Sequence, residues 1–220
     1  MIYGATPEDL GLMDLAPVEF MYWLYCPIWT PREGLTLPPN LRQFEPLVRA
    51  SCLREQAGAL ATYGYLTAKT LWVSGDYTGN RPGWHTDGFG TEDINYIWSD
   101  RAPTEFYNGT EFDLADDCAD AMAEMERRAI GGGERWITTY PDKHLLRLTP
   151  AVVHRPPVGF APGMRTFFKL SISKDRYNLE GNSINHGLTE RWPMVPRGLE
   201  RNHPSAPTHG MNPHPQGKPK

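Results

Sequence analysis

Between Leu41 and Leu53 the apolar residues Leu41, Phe44, Leu47, Val48 and Leu53 fall at near-helical spacing, directly after Asn40, whose short amide can cap a helix. The Ala- and Tyr-rich stretch from Ala57 to Leu71 predicts a continuation of that helix, giving way to a strand near Leu71-Trp72-Val73. From residue 72 onward the pattern shortens to strand-length runs bounded by Gly, Pro, Asp or Asn. These predict strands at Trp84–Phe89, Ile94–Trp98, Thr104–Tyr107, Trp136–Thr139, Leu145–Leu148, Ala151–His154 and Thr166–Ser173. One helix interrupts them. Leu114, Cys118, Ala121, Met122, Met125 and Ala129 recur at steps of three and four, and Gly131-Gly132-Gly133 stops the run. The first forty residues hold the aromatic stretch Phe20–Tyr25 and then a Pro-rich loop ending at Pro38-Pro39-Asn40. After about residue 190 the apolar pattern fades into a polar segment with seven prolines between Pro193 and Pro219. The pattern therefore predicts one mainly β domain over 1–190, with flanking helices, and a Pro-rich extended tail over 191–220. Short antiparallel strands with helices packed outside suit a jelly-roll-type barrel.

Composition sharpens this. With 21 Gly and 21 Pro in 220 residues, punctuators make up about a fifth of the chain, which argues against a helical bundle. No apolar run approaches the length of a membrane-spanning helix, so no membrane partner is expected. Glu8, Asp9, Asp14 and Glu19 near the start do not make a secretory signal. Cys26, Cys52 and Cys118 are odd in number and far apart, so neither a disulfide framework nor a Cys-based zinc site is expected. A reducing, cytoplasmic setting follows as the expectation. The net charge of −4 divides unevenly, with +4 on residues 191–220 and −8 on the remainder. Such a domain is a poor partner for nucleic acid, although the basic tail keeps that possibility open, and a small-molecule substrate is the expected partner.

The candidate chemistry sits in three places. In Gly83-Trp84-His85-Thr86-Asp87-Gly88, the i and i+2 positions of a strand put His85 and Asp87 on one face, where imidazole and carboxylate can bind adjacent positions of one metal ion. Such a tripeptide is common by itself, and a capping Asp beside a turn His is the bland alternative. Leu148–Pro157 is an apolar strand that ends in a single imidazole, His154, 69 residues beyond His85. A third strand opens with Arg165, and alternation puts Arg165, Phe167, Lys169 and Ser171 on one face. A guanidinium there can pair bidentately with a carboxylate.

Taken together, and in this order, these elements resemble the iron(II)- and 2-oxoglutarate-dependent dioxygenases over roughly residues 72–174. That family carries H-x-D on an early strand, a distal His on a late one, and a basic residue about ten positions later. The resemblance implies a double-stranded β-helix (jelly-roll, cupin-like) core with Fe(II) held by His85, Asp87 and His154. It also implies 2-oxoglutarate as cosubstrate, with its far carboxylate on Arg165 or, four residues on, on Lys169. Many members carry a hydroxyl two residues after the arginine, where this chain has Phe167. Asn95 or Tyr96 is the candidate for polar help to the cosubstrate, and Trp84 and Trp98, which flank the motifs, are candidates for the substrate pocket. The implied activity is hydroxylation or another oxidation of a C–H bond in a small or medium organic substrate, releasing succinate and carbon dioxide. A cupin-like isomerase, hydrolase or cosubstrate-free dioxygenase on the same His-Asp-His site is the alternative.

Overall fold

The computed structural model describes residues 1–55, 62–114 and 118–197. Among them the chain is mainly β, with antiparallel sheets and two α-helices. The strands are β1 (Ile2–Tyr3), β2 (Glu8–Leu12), β3 (Met21–Trp29), β4 (Tyr63–Val73), β5 (Ile94–Ser99), β6 (Glu105–Tyr107), β7 (Phe112–Asp113), β8 (Ile137–Thr139), β9 (His144–Leu148), β10 (His154–Arg155) and β11 (Gly163–Ser173). The helices are α1 (Glu45–Glu55), which follows a 3-10 turn over Pro39–Phe44, and α2 (Cys118–Gly132). No helix among the described residues is long and apolar enough to cross a membrane.

Six strands form the larger sheet in the order β2-β9-β5-β11-β4-β3, and three form a smaller one in the order β10-β6-β8. An isolated antiparallel bridge between His85 and His154 extends the smaller sheet by one chain. The pairing is nested. β4 lies against β11, residue 85 against residue 154, β5 against β9, and β6 against β8. The first segment thus meets the last, the second the next to last, and so inward.

β4 and β11 stay in register over eleven pairs, from Tyr63↔Ser173 to Val73↔Gly163. Period-two alternation then sorts their side chains. Leu66, Ala68, Phe168, Leu170 and Ile172, with Tyr96 and Trp98 of β5, form one face of the larger sheet. They pack under Leu41, Phe44, Leu47 and Val48 to make the main apolar core. The opposite face presents Thr67, Lys69, Ile97, Phe167 and Lys169 to a cavity. The main core that holds the sheet is therefore outside it, beneath α1, while on its inner face Ile97, Leu146, Leu148 and Phe167 pack with Phe106 and Val152 beside the polar side chains of the cavity. On the smaller sheet, Ala129 and Met125 of α2 pack with Tyr3, Trp84, Tyr107 and Phe112.

Several expectations change. Residues 63–71 belong to β4 rather than to a continued helix, and the part of that prediction at 57–61 lies outside the described residues. Tyr63–Val73 carries aromatic and β-branched residues that suit a paired strand. Gly64 is required there, because a Cβ would stand 2.3 Å from the Trp29 indole. Asn40 does not cap a helix: it lies inside the 3-10 turn, whose N-cap position is Pro38. Leu53 is exposed instead of joining the apolar face. Trp84–Phe89 contributes only the bridge at His85 before the chain turns, with Gly88 at φ +74°, where a Cβ would press on Thr91 and Asp93. Ala151–Val153 are not paired as a strand, and β10 begins at His154. The start of the tail is attached. Val195 donates to the Asn178 carbonyl (2.8 Å) and accepts from Glu180 (2.8 Å), while the Trp192 ring meets Tyr63 edge-on. Residues 198–220 lie outside the described residues.

Candidate metal centre

Folding brings His85, Asp87 and His154 together. One ligand atom from each lies within 4.8 Å of the others, and this is the one such metal-competent group among the described residues. The backbone does the positioning. His85 N–H donates to the His154 carbonyl (2.9 Å) and His154 N–H donates to the His85 carbonyl (2.8 Å), so the two residues are locked opposite each other. A close pair of this kind puts both side chains on the same face of the sheet, and the ring centroids are 4.7 Å apart.

Each imidazole is oriented by its own strand. His85 Nδ1 lies 2.8 Å from the Gly83 carbonyl and His154 Nδ1 lies 3.1 Å from the Val152 carbonyl. A carbonyl can only accept, so Nδ1 carries a proton in both rings, which leaves Nε2 as the atom each ring can offer to a metal. His154 Nε2 stands 3.5 Å from Asp87 Oδ2. Burial, reinforced by the neighbouring His154, pushes the His85 pKa down to about 3, so this imidazole is neutral at ordinary pH. For Asp87 burial alone would raise the pKa, but the Lys169 ammonium and the imidazoles outweigh it and hold the carboxyl well below its usual range. The neutral His85 nitrogen and the Asp87 carboxylate oxygen are therefore ready without a proton having to leave.

Lys169, a candidate for the cosubstrate carboxylate, is paired with a triad member instead. Its Nζ lies 2.7 Å from Asp87 Oδ1 and 5.5 Å from the Tyr25 ring centroid. Burial works against its charge, yet Asp87 keeps the ammonium above the ordinary lysine range. The triad and Lys169 border a cavity of about 590 Å³ whose wall also includes Tyr25, Thr67, Lys69, Asn80, Arg81, Ile97, Thr104 and Phe167. Tyr25 reaches it from a bulge in β3 at φ +46°, an uncommon conformation for a residue with a side chain, fixed by its N–H donating to Thr67 Oγ1 (3.0 Å).

Comparison with family models, with curated proteins and with solved structures finds no significant match to this chain. The geometry has to speak for itself.

Of the other residues singled out by sequence, Arg165 is buried behind the cavity wall. Its Nε donates to the Arg101 carbonyl (3.0 Å) and its guanidinium lies 5.1 Å from the Phe167 ring. With the Asn80 amide turned so that its nitrogen donates to the Gly79 carbonyl, the Asn80 oxygen accepts from Arg165 Nη1 at 3.1 Å. Arg165 Nη2 is buried with no hydrogen-bond partner. Burial, partly offset by Asp100 and Asp142, brings the pKa of this guanidinium down to about 10, which leaves it charged. Asn95 is fully buried and accepts from Ser171 Oγ at 2.6 Å; it does not line the cavity. Neither tryptophan reaches the cavity wall. Trp84 packs in the cluster under α2, with Arg155 over its ring at 4.7 Å. Trp98 sits in the main core and donates from Nε1 to the Met13 carbonyl (2.8 Å). Both act as packing rather than as pocket wall. Sequence reasoning missed Lys69, Arg81 and Arg197, all on the cavity wall. For Lys69 there was a signal: in β4 it alternates with Ala68 and Thr70, so once residues 63–73 are read as a strand it must face inward with Thr67.

Proposed function

We propose that this chain is a non-haem Fe(II)- and 2-oxoglutarate-dependent oxygenase built on a jelly-roll core. The single observation that carries the reading is the His85, Asp87, His154 triangle, with both Nδ1 atoms satisfied by carbonyls of their own strands and both Nε2 atoms left to be offered to a metal. The nested pairing of β4 with β11, 85 with 154, β5 with β9 and β6 with β8 supports the jelly roll, because folding one long antiparallel hairpin on itself generates that order. Two imidazoles and one carboxylate on one side of an ion suit Fe(II) and leave its other positions facing the cavity.

Iron and 2-oxoglutarate, if bound there, would let dioxygen act as the oxidant, with one oxygen atom going to the substrate C–H position and the other to succinate as carbon dioxide is released. The protein supplies placement. Gly83 and Val152 carbonyls hold the two imidazoles against rotation, as second partners of metal-ligating histidines do. Ile97 and Phe167 add apolar surface to the cavity wall. Lys169 touches a metal ligand and so stands at the metal end of any chelating diacid. Arg165 stands two inward-facing positions further along β11, and its orphaned Nη2 fits the far carboxylate, provided that the Asn80 amide yields.

Anaerobic Fe(II) with 2-oxoglutarate should give a weak visible charge-transfer band that His85→Ala abolishes, and a band unchanged by that substitution would reject the site. Arg165→Ala should raise the requirement for 2-oxoglutarate far more than that for iron. The second reading, a metalloenzyme using the same triad without the diacid, is favoured by Arg165 lying behind Asn80 instead of on the wall. Tight metal binding with no band on adding 2-oxoglutarate would select it.

A further inference from the structure

We propose that the substrate taken beside the metal centre is itself a small organic anion, a carboxylate, sulfate ester or phosphate monoester, received by Arg81 and Arg197. The inference deepens the oxygenase reading above, and its binding test is independent of the metal.

The cavity wall carries Lys69, Arg81, Arg155, Lys169 and Arg197 against the single carboxylate of Asp87. The chain as a whole has a net charge of −4, so this is a local concentration of the opposite sign. Two of the five are already matched: Lys169 by Asp87 (2.7 Å) and Arg155 by Glu105 (2.7 Å). Lys69 donates to the Gly79 carbonyl at 2.9 Å and lies 5.4 Å from the Tyr22 ring. Arg81 and Arg197 differ from the first two in forming no ion pair among the described residues. Arg81 contacts the Met122 sulfur, and Arg197 donates to the Glu180 carbonyl (3.1 Å) and to Asn182 Oδ1 (2.6 Å), all neutral acceptors. These contacts fix where the guanidiniums stand without cancelling their charge.

Loading the site does not remove the excess. A divalent metal adds two positive charges and a dicarboxylate takes two away, so the wall is as cationic with both bound as with neither. Only a third, negatively charged partner balances it. The volume of about 590 Å³ is within the range of pockets for drug-sized ligands and exceeds what a five-carbon diacid needs. Tyr22 and Tyr77, both more than half exposed, add flat aromatic surface to the same wall, so the anion is expected to carry a compact apolar or planar body. The overall negative charge opposes a polyanion such as nucleic acid and restricts the proposal to a small ligand.

The test is calorimetric titration of the full-length chain with benzoate, phenyl sulfate and the neutral benzamide, first metal-free and then with Mn(II) and 2-oxoglutarate. Both anions should bind about tenfold or more tighter than benzamide in both states. Arg81→Gln and Arg197→Gln should each weaken the anions by about tenfold, the order of one lost charge-assisted hydrogen bond, while Arg81→Lys keeps most of the preference. Binding of 2-oxoglutarate with Mn(II) should move by less than about twofold in these variants. Equal binding of benzamide, or no loss in either glutamine variant, overturns the proposal. A parallel loss of 2-oxoglutarate affinity also overturns it, because the two arginines would then serve the cosubstrate. If 2-oxoglutarate fails to bind the unaltered chain while the anion preference persists, the oxygenase reading falls and the anion site stands.

Discussion

Asp87 has two suitors. Its Oδ1 is 2.7 Å from the Lys169 ammonium and its Oδ2 faces His154, so a divalent ion arriving at the triad competes with a resident cation. Removing one partner of a buried pair costs about 3–5 kcal/mol where the survivor is fully enclosed, and less where it faces a cavity, as Asp87 does. Lys169→Met should therefore lower the melting temperature of the metal-free chain, and saturating Mn(II) should raise it by more than it raises the unaltered chain. Scanning fluorimetry with and without Mn(II) reads both, and a variant with an unchanged metal response would show that the ammonium does not oppose the ion. His85 gives a pH dependence of definite sign. Its pKa is near 3 in the folded chain and near the model-peptide value of about 6.5 when unfolded, so below about 6.5 the unfolded state binds a proton that the folded state refuses. The stability contributed by the neutral ring is complete above pH 6.5 and is lost progressively down to about 3. His85→Gln should flatten that part of the metal-free stability profile, and an unchanged slope would assign the acid sensitivity elsewhere.

At the scale of elements, the larger sheet depends on what covers its outer face. Phe44 is fully buried 5.8 Å from the Phe168 ring, and Tyr96 of β5 donates to Glu55 Oε1 at the end of α1 (2.6 Å), where Arg147 of β9 also pairs. Phe44→Ala should cost about 3–5 kcal/mol by denaturant unfolding. Because Phe44 and the triad lie on opposite faces of the sheet, metal affinity should stay unchanged in the folded variant; a parallel loss would mean that the outer core sets the triad geometry. The same division explains what could be read from sequence. β5, β6, β8, β9 and β11 were legible because turn residues bracket each apolar run. β4 was misread because Ala, Leu and Lys favour helices locally, and only pairing with both β3 and β11 makes Tyr63–Val73 a strand. His85, Asp87 and His154 were legible as residue types at a spacing. Their convergence was legible only through the family resemblance and not from the pattern, since it depends on one bridge closing across 69 residues. Arg81 and Arg197 gave no signal at all, because a lone arginine in a loop reads like any solvated one.

At the scale of the whole molecule, the segment after residue 190 bears on stability through an aromatic stack that begins in β4. Tyr63 and Tyr65 have ring centroids 6.1 Å apart, Tyr65 and Tyr177 stack at 4.1 Å, and the Trp192 ring closes the row edge-on against Tyr63 at 5.8 Å. Trp192 Nε1 also donates to the Tyr177 carbonyl (3.3 Å), and Val195 is tied by two backbone hydrogen bonds to the 178–180 segment. A chain ending at residue 190 loses the Trp192 cover, both backbone bonds and Arg197, whereas a chain ending at residue 197 keeps them. Each kcal/mol lost lowers the melting temperature of a domain this size by about 2–4 °C, so the shorter chain should melt several degrees below the longer one. The triad comes from other segments, so both truncations should bind Mn(II) alike, while only the chain ending at 197 should prefer benzoate to benzamide. If the chain ending at 190 melts with the longer one yet loses the benzoate preference, residues 191–197 serve the cavity alone. If it melts early and keeps the preference, Arg197 is not part of the anion site.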